Sequence, residues 1–488
     1  MKSVIKKDYF KKIIPKNDLI ILLALLSFLS CSIINNESEI RIYSCHEQVS
    51  FIEPASQCLF NTKLDYFRGI WYGQTKLENG RFKYAGGLGT YTSHHGTSAF
   101  YDADSEKTFF TYGGTRLDYN FDNSSQVGPD QLYIMISSFD HKTGILEKPT
   151  LIFDKWTNDP HDNPVLNIDL NGNIIVYAPS HGNLTTPSYI LKSTIPASID
   201  SFEVIEKSLF AYPQPQMDKN GDGVFFYTSY ENGRTLKFRK YIGGELQKNE
   251  EILSSIQAGH YQVTSRLDSK IGTAFNFIPR PEGSDYRSNL YYFETLDNGD
   301  TWQDINGNII SLPVNKINNT LLIKDYKKEG KLVFVMDISF DLDSNPVILY
   351  NVSSSPFPDS SKADLMVAFY QNQQWNIRTI SSTDHNYNMG TIQIVDSDWA
   401  VIVPTDKGPQ ENAAGGELVY WKSSDNGFSW EIERRITDNS SNNNNYVKKV
   451  KNARSEFSYI WADGNAEIPS VSNLYYTDIR GLKPVRME

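Results

Sequence analysis

The feature that most restricts how this chain folds is a recurrence. Seven times, a polar turn rich in Asp, Asn, Ser or Gly runs straight into a strongly apolar strand. The copies are "YDADSEKTFFTYGG" from Tyr101, "NIDLNGNIIVYAPS" from Asn167, "QMDKNGDGVFFYTS" from Gln216, "RLDSKIGTAFNF" from Arg266, "SFDLDSNPVILYNV" from Ser339, "QIVDSDWAVIVPT" from Gln393 and "RSEFSYIWADG" from Arg454. One such unit cannot bury its own apolar strand, so neighbouring units must stack. No long amphipathic helix competes, and the 29 Tyr and 26 Phe favour strands. Spread over residues 61–488, seven units allow about 60 residues each, and a four-stranded blade with its loops needs about 40 to 50. The expectation is an all-β chain folded as a seven-bladed β-propeller, closed radially so that few sheet edges stay open. A six-bladed propeller or a pair of β-sandwiches is the alternative.

A second strand type follows several of these units, in "NLYYFETLDNGDTW" (Asn289 to Trp302) and "ELVYWKSSDNGFSW" (Glu417 to Trp430). Both carry an Asp-box: Thr295, Asp297, Gly299, Thr301 and Trp302 in one, Ser423, Asp425, Gly427, Ser429 and Trp430 in the other. The Asp accepts bonds from backbone N–H groups, Gly permits positive φ, and Trp packs between sheets. These boxes lock hairpins and carry no chemistry.

The N-terminus reads as a targeting segment. Lys2, Lys6, Lys7, Lys11, Lys12 and Lys16 precede the apolar run "LIILLALLSFLS", and Cys31 follows. Twelve such residues are too few to span a bilayer comfortably. "FLSC" resembles a bacterial lipobox, which makes residues 1–31 a lipoprotein signal peptide and Cys31 the lipidated first residue of the mature chain. Residues 32–60 then form a lead-in and 61–488 the propeller. The expected location is the bacterial cell envelope, with the chain held as a monomer on the outer membrane through its lipid. Cys45 and Cys58 remain as an even pair; an oxidising compartment allows a disulfide between them, and two free thiols are the alternative.

The net charge of −11 argues against a nucleic-acid partner. Among the described motifs of enzyme chemistry there is no Gly-rich phosphate loop, no CxxC pair and no HExxH. No cofactor is expected and no metal set is identified. "DKNGDG" (Asp218 to Gly223) leaves room for a structural calcium ion but lacks the spaced ligands of a full loop.

The segments "KTFFTYGGT", "DPHDNPVLNIDLNG", "GHYQVTS", "TDHNYNMG", "PTDKGPQENAAGGELVYWKSSDNGFSW" and "FSYIWADGNAEIPSVSNLYY" together resemble the BNR-4 repeat proteins of bacterial polysaccharide-degrading systems. That family includes seven-bladed ulvan lyases and relatives that cut rhamnose–glucuronate linkages, described as lyases or as rhamnosidases. The resemblance implies a polysaccharide lyase that cleaves a uronate-containing glycan by β-elimination. An exo-acting α-L-rhamnosidase and a non-catalytic glycan-binding propeller are the alternatives. The lyases' pattern is a His in a D-x-H-N-like turn, a second His about twenty residues on, a Tyr opening a Tyr-Pro strand, and an Arg sixteen residues after that Tyr. Here the matching positions are His161, His181 and Tyr212. The sixteenth position beyond Tyr212 is Thr228, so the carboxylate-neutralising Arg is missing from its place; Arg234, Lys237 and Arg239 are the substitutes in reach.

β-Elimination needs a cation to quench the uronate carboxylate, a base for the C5 proton and an acid for the leaving oxygen. Arg suits the first, and His and Tyr suit the other two near neutral pH. His161 and His181 flank a turn–strand unit and are read as the catalytic pair, with Tyr212 assisting. His260, Tyr261, Arg266 and His385, which stand in family-like motifs or beside them, are candidate substrate-binding residues with Arg234. In "TYTSHHGTSAF", His94 and His95 are adjacent, so on a strand at most one would face a given pocket, and His95 is held as a further substrate contact. Lys448, Lys449, Lys451 and Arg454 lie in a polar stretch, Ser440 to Arg454, that reads as a solvated loop or as a contact for an acidic glycan.

Overall fold

A computed structural model describes residues 59–76, 82–87, 91–117, 131–182, 186–231, 233–356, 362–395, 397–411 and 413–488. Every described residue lies in one compact unit, Pro54–Glu488. The targeting segment, Cys31, Cys45 and Cys58 all fall outside the described residues.

The regular structure of the described residues is strand, apart from three single-turn 3₁₀ segments. No described helix is long and apolar enough to cross a membrane. Five antiparallel four-stranded sheets follow one another in sequence, over residues 165–208, 211–254, 262–324, 332–383 and 391–435. The strands before and after them form a ten-stranded sheet whose two halves, before residue 155 and after residue 442, meet at one parallel residue pair, Lys451 opposite Phe100. A three-stranded sheet joins Gly69–Lys76 and Phe82–Gly87 to Ser470–Ser472.

Each of the seven repeated turn–strand units is the hairpin formed by the first two strands of a group. Its apolar strand is the second of the group. Ile174–Ala178, Gly223–Ser229 and Phe457–Gly464 are buried along their whole length, as central strands covered on both faces must be. Fourth strands such as Glu245–Ser254 and Glu431–Arg435 are mostly exposed and charged, which blunts the open edge. The core lies between consecutive sheets: Val224, Phe226, Leu236 and Phe238 of one pack against Ile271, Phe275, Tyr291 and Phe293 of the next.

The Asp-boxes behave as their residues dictate. Asp297 accepts from the Thr301 backbone N–H at 2.9 Å and its hydroxyl at 2.6 Å, and Asp425 accepts from Ser429 at the same two distances. Gly299 and Gly427 sit at φ 90° and 87°. Trp302 is buried against Phe226 and Phe238 of the neighbouring sheet.

The stretch Ser440 to Arg454 is not a loop. Asn443–Arg454 is a strand paired with Phe457–Gly464; its Asn-rich start is buried because those amides bond to backbone groups of neighbouring turns.

In an antiparallel group the first strand's start, the second strand's end and the third strand's start share one end of the sheet. The chemically capable residues collect at that end.

Candidate active site

Asp159 caps the single 3₁₀ turn Pro160–Asp162, which delivers His161 just before strand Val165–Ile168. His181 follows strand Ile174–Ala178. These strands pair with Val165 opposite Tyr177, so both histidines emerge at one end of the sheet. Their rings stack with centroids 4.0 Å apart and planes 18° apart. Asp159 holds both. Its Oδ2 accepts from His181 Nδ1–H at 2.7 Å; its Oδ1 accepts from the His161 ring Nδ1–H and, at 3.0 Å, from the His161 backbone N–H. With Nδ1 donating, His161 Nε2 accepts from the Tyr91 hydroxyl at 2.9 Å. Asp162 accepts from the His181 backbone N–H at 2.7 Å and so ties the two ends of the unit together.

The two imidazoles therefore differ. Both ring nitrogens of His161 are engaged and the ring is buried. The Nε2 of His181 has no hydrogen-bond partner among the described residues, and 24% of its side chain is exposed. Burial pulls the His161 pKa down to about 4, against the opposing charge of Asp159. Burial also acts on His181, but the bond and charge of Asp159 outweigh it and lift the pKa above the ordinary value. Burial alone would raise the Asp159 carboxyl, yet the two imidazoles hold it well below the usual range.

Tyr212 reaches this pair through a β-bulge. Ala211 pairs with Thr228 and Gln214 with Phe226, so Tyr212 and Pro213 together oppose Tyr227. Tyr212 sits at φ 51°, an uncommon conformation for an aromatic residue, of the kind that gathers at functional sites. Its ring stands edge-on to His161 and His181, at 5.7 and 5.5 Å.

A cation, Arg234, also reaches this group. Arg234 lies between strands Gly223–Ser229 and Thr235–Ile242, at the same end of the sheet. Its guanidinium stands 4.0 Å from the Tyr261 ring, 5.1 Å from Tyr212 and 5.5 Å from Tyr230, and its Nε donates to the His260 carbonyl at 2.9 Å. Lys237 and Arg239 face elsewhere, into ion pairs with Glu231 and Glu250 and with Glu206.

A second cation had no sequence signal. Arg287 is buried, also 4.0 Å from the Tyr261 ring, and donates to the Tyr387 hydroxyl at 2.9 Å. Lys83 pairs with Asp285 nearby. Burial would raise the Tyr261 phenol, but Arg234 and Arg287 bring it down to about 7.

The other sequence candidates divide. His94 and His95 lie in a turn, not on a strand, and both rings approach Tyr212, at 5.9 and 5.8 Å. His94 also bonds to the Val335 carbonyl at 3.2 Å. His260 contributes its carbonyl to Arg234, while its ring is buried and held neutral, its pKa brought to about 3 by burial and by Arg234. His385 is buried and accepts from the Tyr387 N–H at 3.0 Å. Arg266 stands near the far end of strand Gln262–Leu267, paired with Asp218 at 3.0 Å, so it is not brought to the cluster; five steps along an extended strand carry it about 16 Å from Tyr261. In the "DKNGDG" turn, Asp218 is occupied by that Arg and by the backbone N–H groups of Asn220 and Asp222. Asp159, His161 and His181 offer ligand atoms within 4.8 Å of one another, a spacing that admits a metal ion, although each Nδ1 already meets the carboxylate.

The comparisons agree with this architecture. No curated protein is matched by the chain. The fold is similar to that of a PL25 ulvan lyase solved with -[GlcA(1-4)Rha3S]-, at TM-score 0.66 and 13% identity, covering 88% of this chain and 98% of the other. It is also similar to the polysaccharide lyase Uly1, at TM-score 0.59 and 11% identity, covering 86% and 100%. At such identities these are likenesses of fold. The family model described as "BNR repeat-containing family member" matches residues 129–383, just over half of the 488 residues, and the chain belongs to that family.

Proposed function

We propose that this protein is a polysaccharide lyase that cleaves a uronate-containing acidic glycan by β-elimination, on a seven-bladed β-propeller. The observation that carries the reading is the gathering of Arg234, the Asp159-held histidine pair and Tyr212 at one end of neighbouring sheets. Arg234 neutralises the uronate carboxylate, which acidifies the C5 proton. His181 takes that proton on Nε2, with Asp159 fixing the tautomer and raising the base strength. The electron pair of the C5–H bond becomes the C4=C5 double bond as the C4–O bond breaks. Tyr212, close to His181, hands its proton to the departing oxygen. His161, stacked on His181 and bonded at both nitrogens, positions the pair. Arg287, against the Tyr261 ring, adds positive charge to the group.

The seven hairpin groups support seven blades, with the ten-stranded sheet counted as two. The basic, apolar N-terminus ending at Cys31 supports a lipid-anchored place in the bacterial cell envelope. The test is incubation of the protein with ulvan, gum arabic and related polymers. The reading expects new ultraviolet absorbance from a 4,5-unsaturated uronate. Free rhamnose without that absorbance would assign a hydrolase, and binding without any product would assign a glycan-binding protein.

A further inference from the structure

A cavity of about 620 Å³ lies among the first strands of neighbouring sheets. Burial falls along those strands: from Gln262 to Leu267 they pass from buried to half-buried, and from Asn443 to Arg454 from buried to exposed. The mouth therefore lies at the strand ends opposite the histidine pair, and His95 forms part of the inner wall.

Four cations line this cavity against two carboxylates that meet them. Lys448 donates to the carbonyls of Thr92 and His95 at 2.7 and 3.1 Å. Lys449 donates to those of Ile338 and Ile392 and pairs with Asp337 at 3.0 Å. Arg266 pairs with Asp218. Lys451 differs. Its Nζ is buried, 5.3 Å from the Phe100 ring, and has no hydrogen-bond partner among the described residues. Both ring nitrogens of His95, which is 2% exposed, are in the same condition, and so is the amide oxygen of Gln393. All three residues line the cavity.

Buried polar groups are normally paired, and a buried ammonium without a partner is costly. Burial lowers the Lys451 pKa to about 8 and that of Lys448 to about 7. A ligand supplying an anion to Lys451 and a donor to Gln393 satisfies both, and its hydroxyls meet the amides and hydroxyls of the wall. The volume suits a small ligand.

We propose that this cavity is a second binding site, opening at the end away from the candidate active site, and that it takes a small acidic sugar: the anionic group against Lys451, the hydroxyls against Gln393, Gln216 and Thr264.

The test is calorimetry with glucuronate on the full chain carrying His181→Ala and Arg234→Ala, which disables the other site and makes the result independent of the lyase reading. Glucuronate is expected to bind, and glucose and inorganic sulfate to bind far more weakly. Adding Lys451→Met is expected to weaken glucuronate by about tenfold or more. Gln393→Leu should weaken it less, and the melting temperature of the Lys451→Met protein should be no lower than its parent's. The proposal is overturned if glucuronate does not bind, if glucose or sulfate binds as tightly, or if neither substitution changes the affinity.

Discussion

Replacing Arg234 tests the chemistry at its centre. The guanidinium stands 5.1 Å from the Tyr212 ring and 4.0 Å from the Tyr261 ring. Negative charge grows on the uronate carboxylate as the C5 proton leaves. Unit charges about 4 Å apart at an effective dielectric of about 20 interact by about 4 kcal/mol. Loss of a single preorganised donor to developing charge typically costs about 10² to 10³ in rate. Arg234→Ala should therefore lower kcat/KM on a uronate polymer by about that factor. Arg234→Lys should recover part of it, because it keeps the charge and loses the bidentate fork. The same change removes the largest influence holding the Tyr261 phenol near about 7, so an ultraviolet pH titration should lose a tyrosine that ionises near neutrality. An Arg234→Ala enzyme within a factor of about two of wild type would refute the assignment.

Two further predictions concern the histidine pair and the scaffold. Asp159 raises the His181 pKa, so Asp159→Asn should move the acidic limb of the kcat/KM profile to lower pH, because the base then stays unprotonated further down; the maximal rate should fall about 10²-fold or more as the ring loses its orienting partner. A profile with an unmoved acidic limb would exclude His181 as the base. Gly427 sits at φ 87° with an added Cβ meeting the Trp399 ring at 2.4 Å, so Gly427→Ala should destabilise by about 1–3 kcal/mol while activity per folded molecule holds. Gly144→Ala, at φ 71° with open space around it, should lower the melting temperature less.

What could be read from the sequence follows from periodicity. The seven apolar strands are visible because each is buried on both faces and bounded by a polar turn, and the Asp-boxes because their residues are fixed by one hairpin geometry. His161, His181 and Tyr212 were legible as a set through their resemblance to the lyases' pattern. Their contact was not, because it depends on strand Val165–Ile168, four residues hidden between two turn signals, and on a bulge at Tyr212 that no alternation pattern marks. Arg234 lay in reach but could not be separated from Lys237 and Arg239; the loop before a strand points to the shared end of the sheet, and positions along that strand do not. Arg287 and Lys83 enter from other sheets, and no local pattern announces such a meeting. The lysines of Asn443–Arg454 read as a solvated loop because buried Asn side chains, bonding to backbone, imitate the composition of one.

The most direct test of the account is the mass of the first oligosaccharides released from ulvan by the purified protein. β-Elimination predicts that the fragment whose new non-reducing end is the unsaturated uronate is lighter by one water than its hydrolytic counterpart and absorbs in the ultraviolet, and that these fragments form about 10² to 10³ times more slowly with Arg234→Ala. Fragments carrying the full water, or the same products from the variant at the same rate, would contradict it.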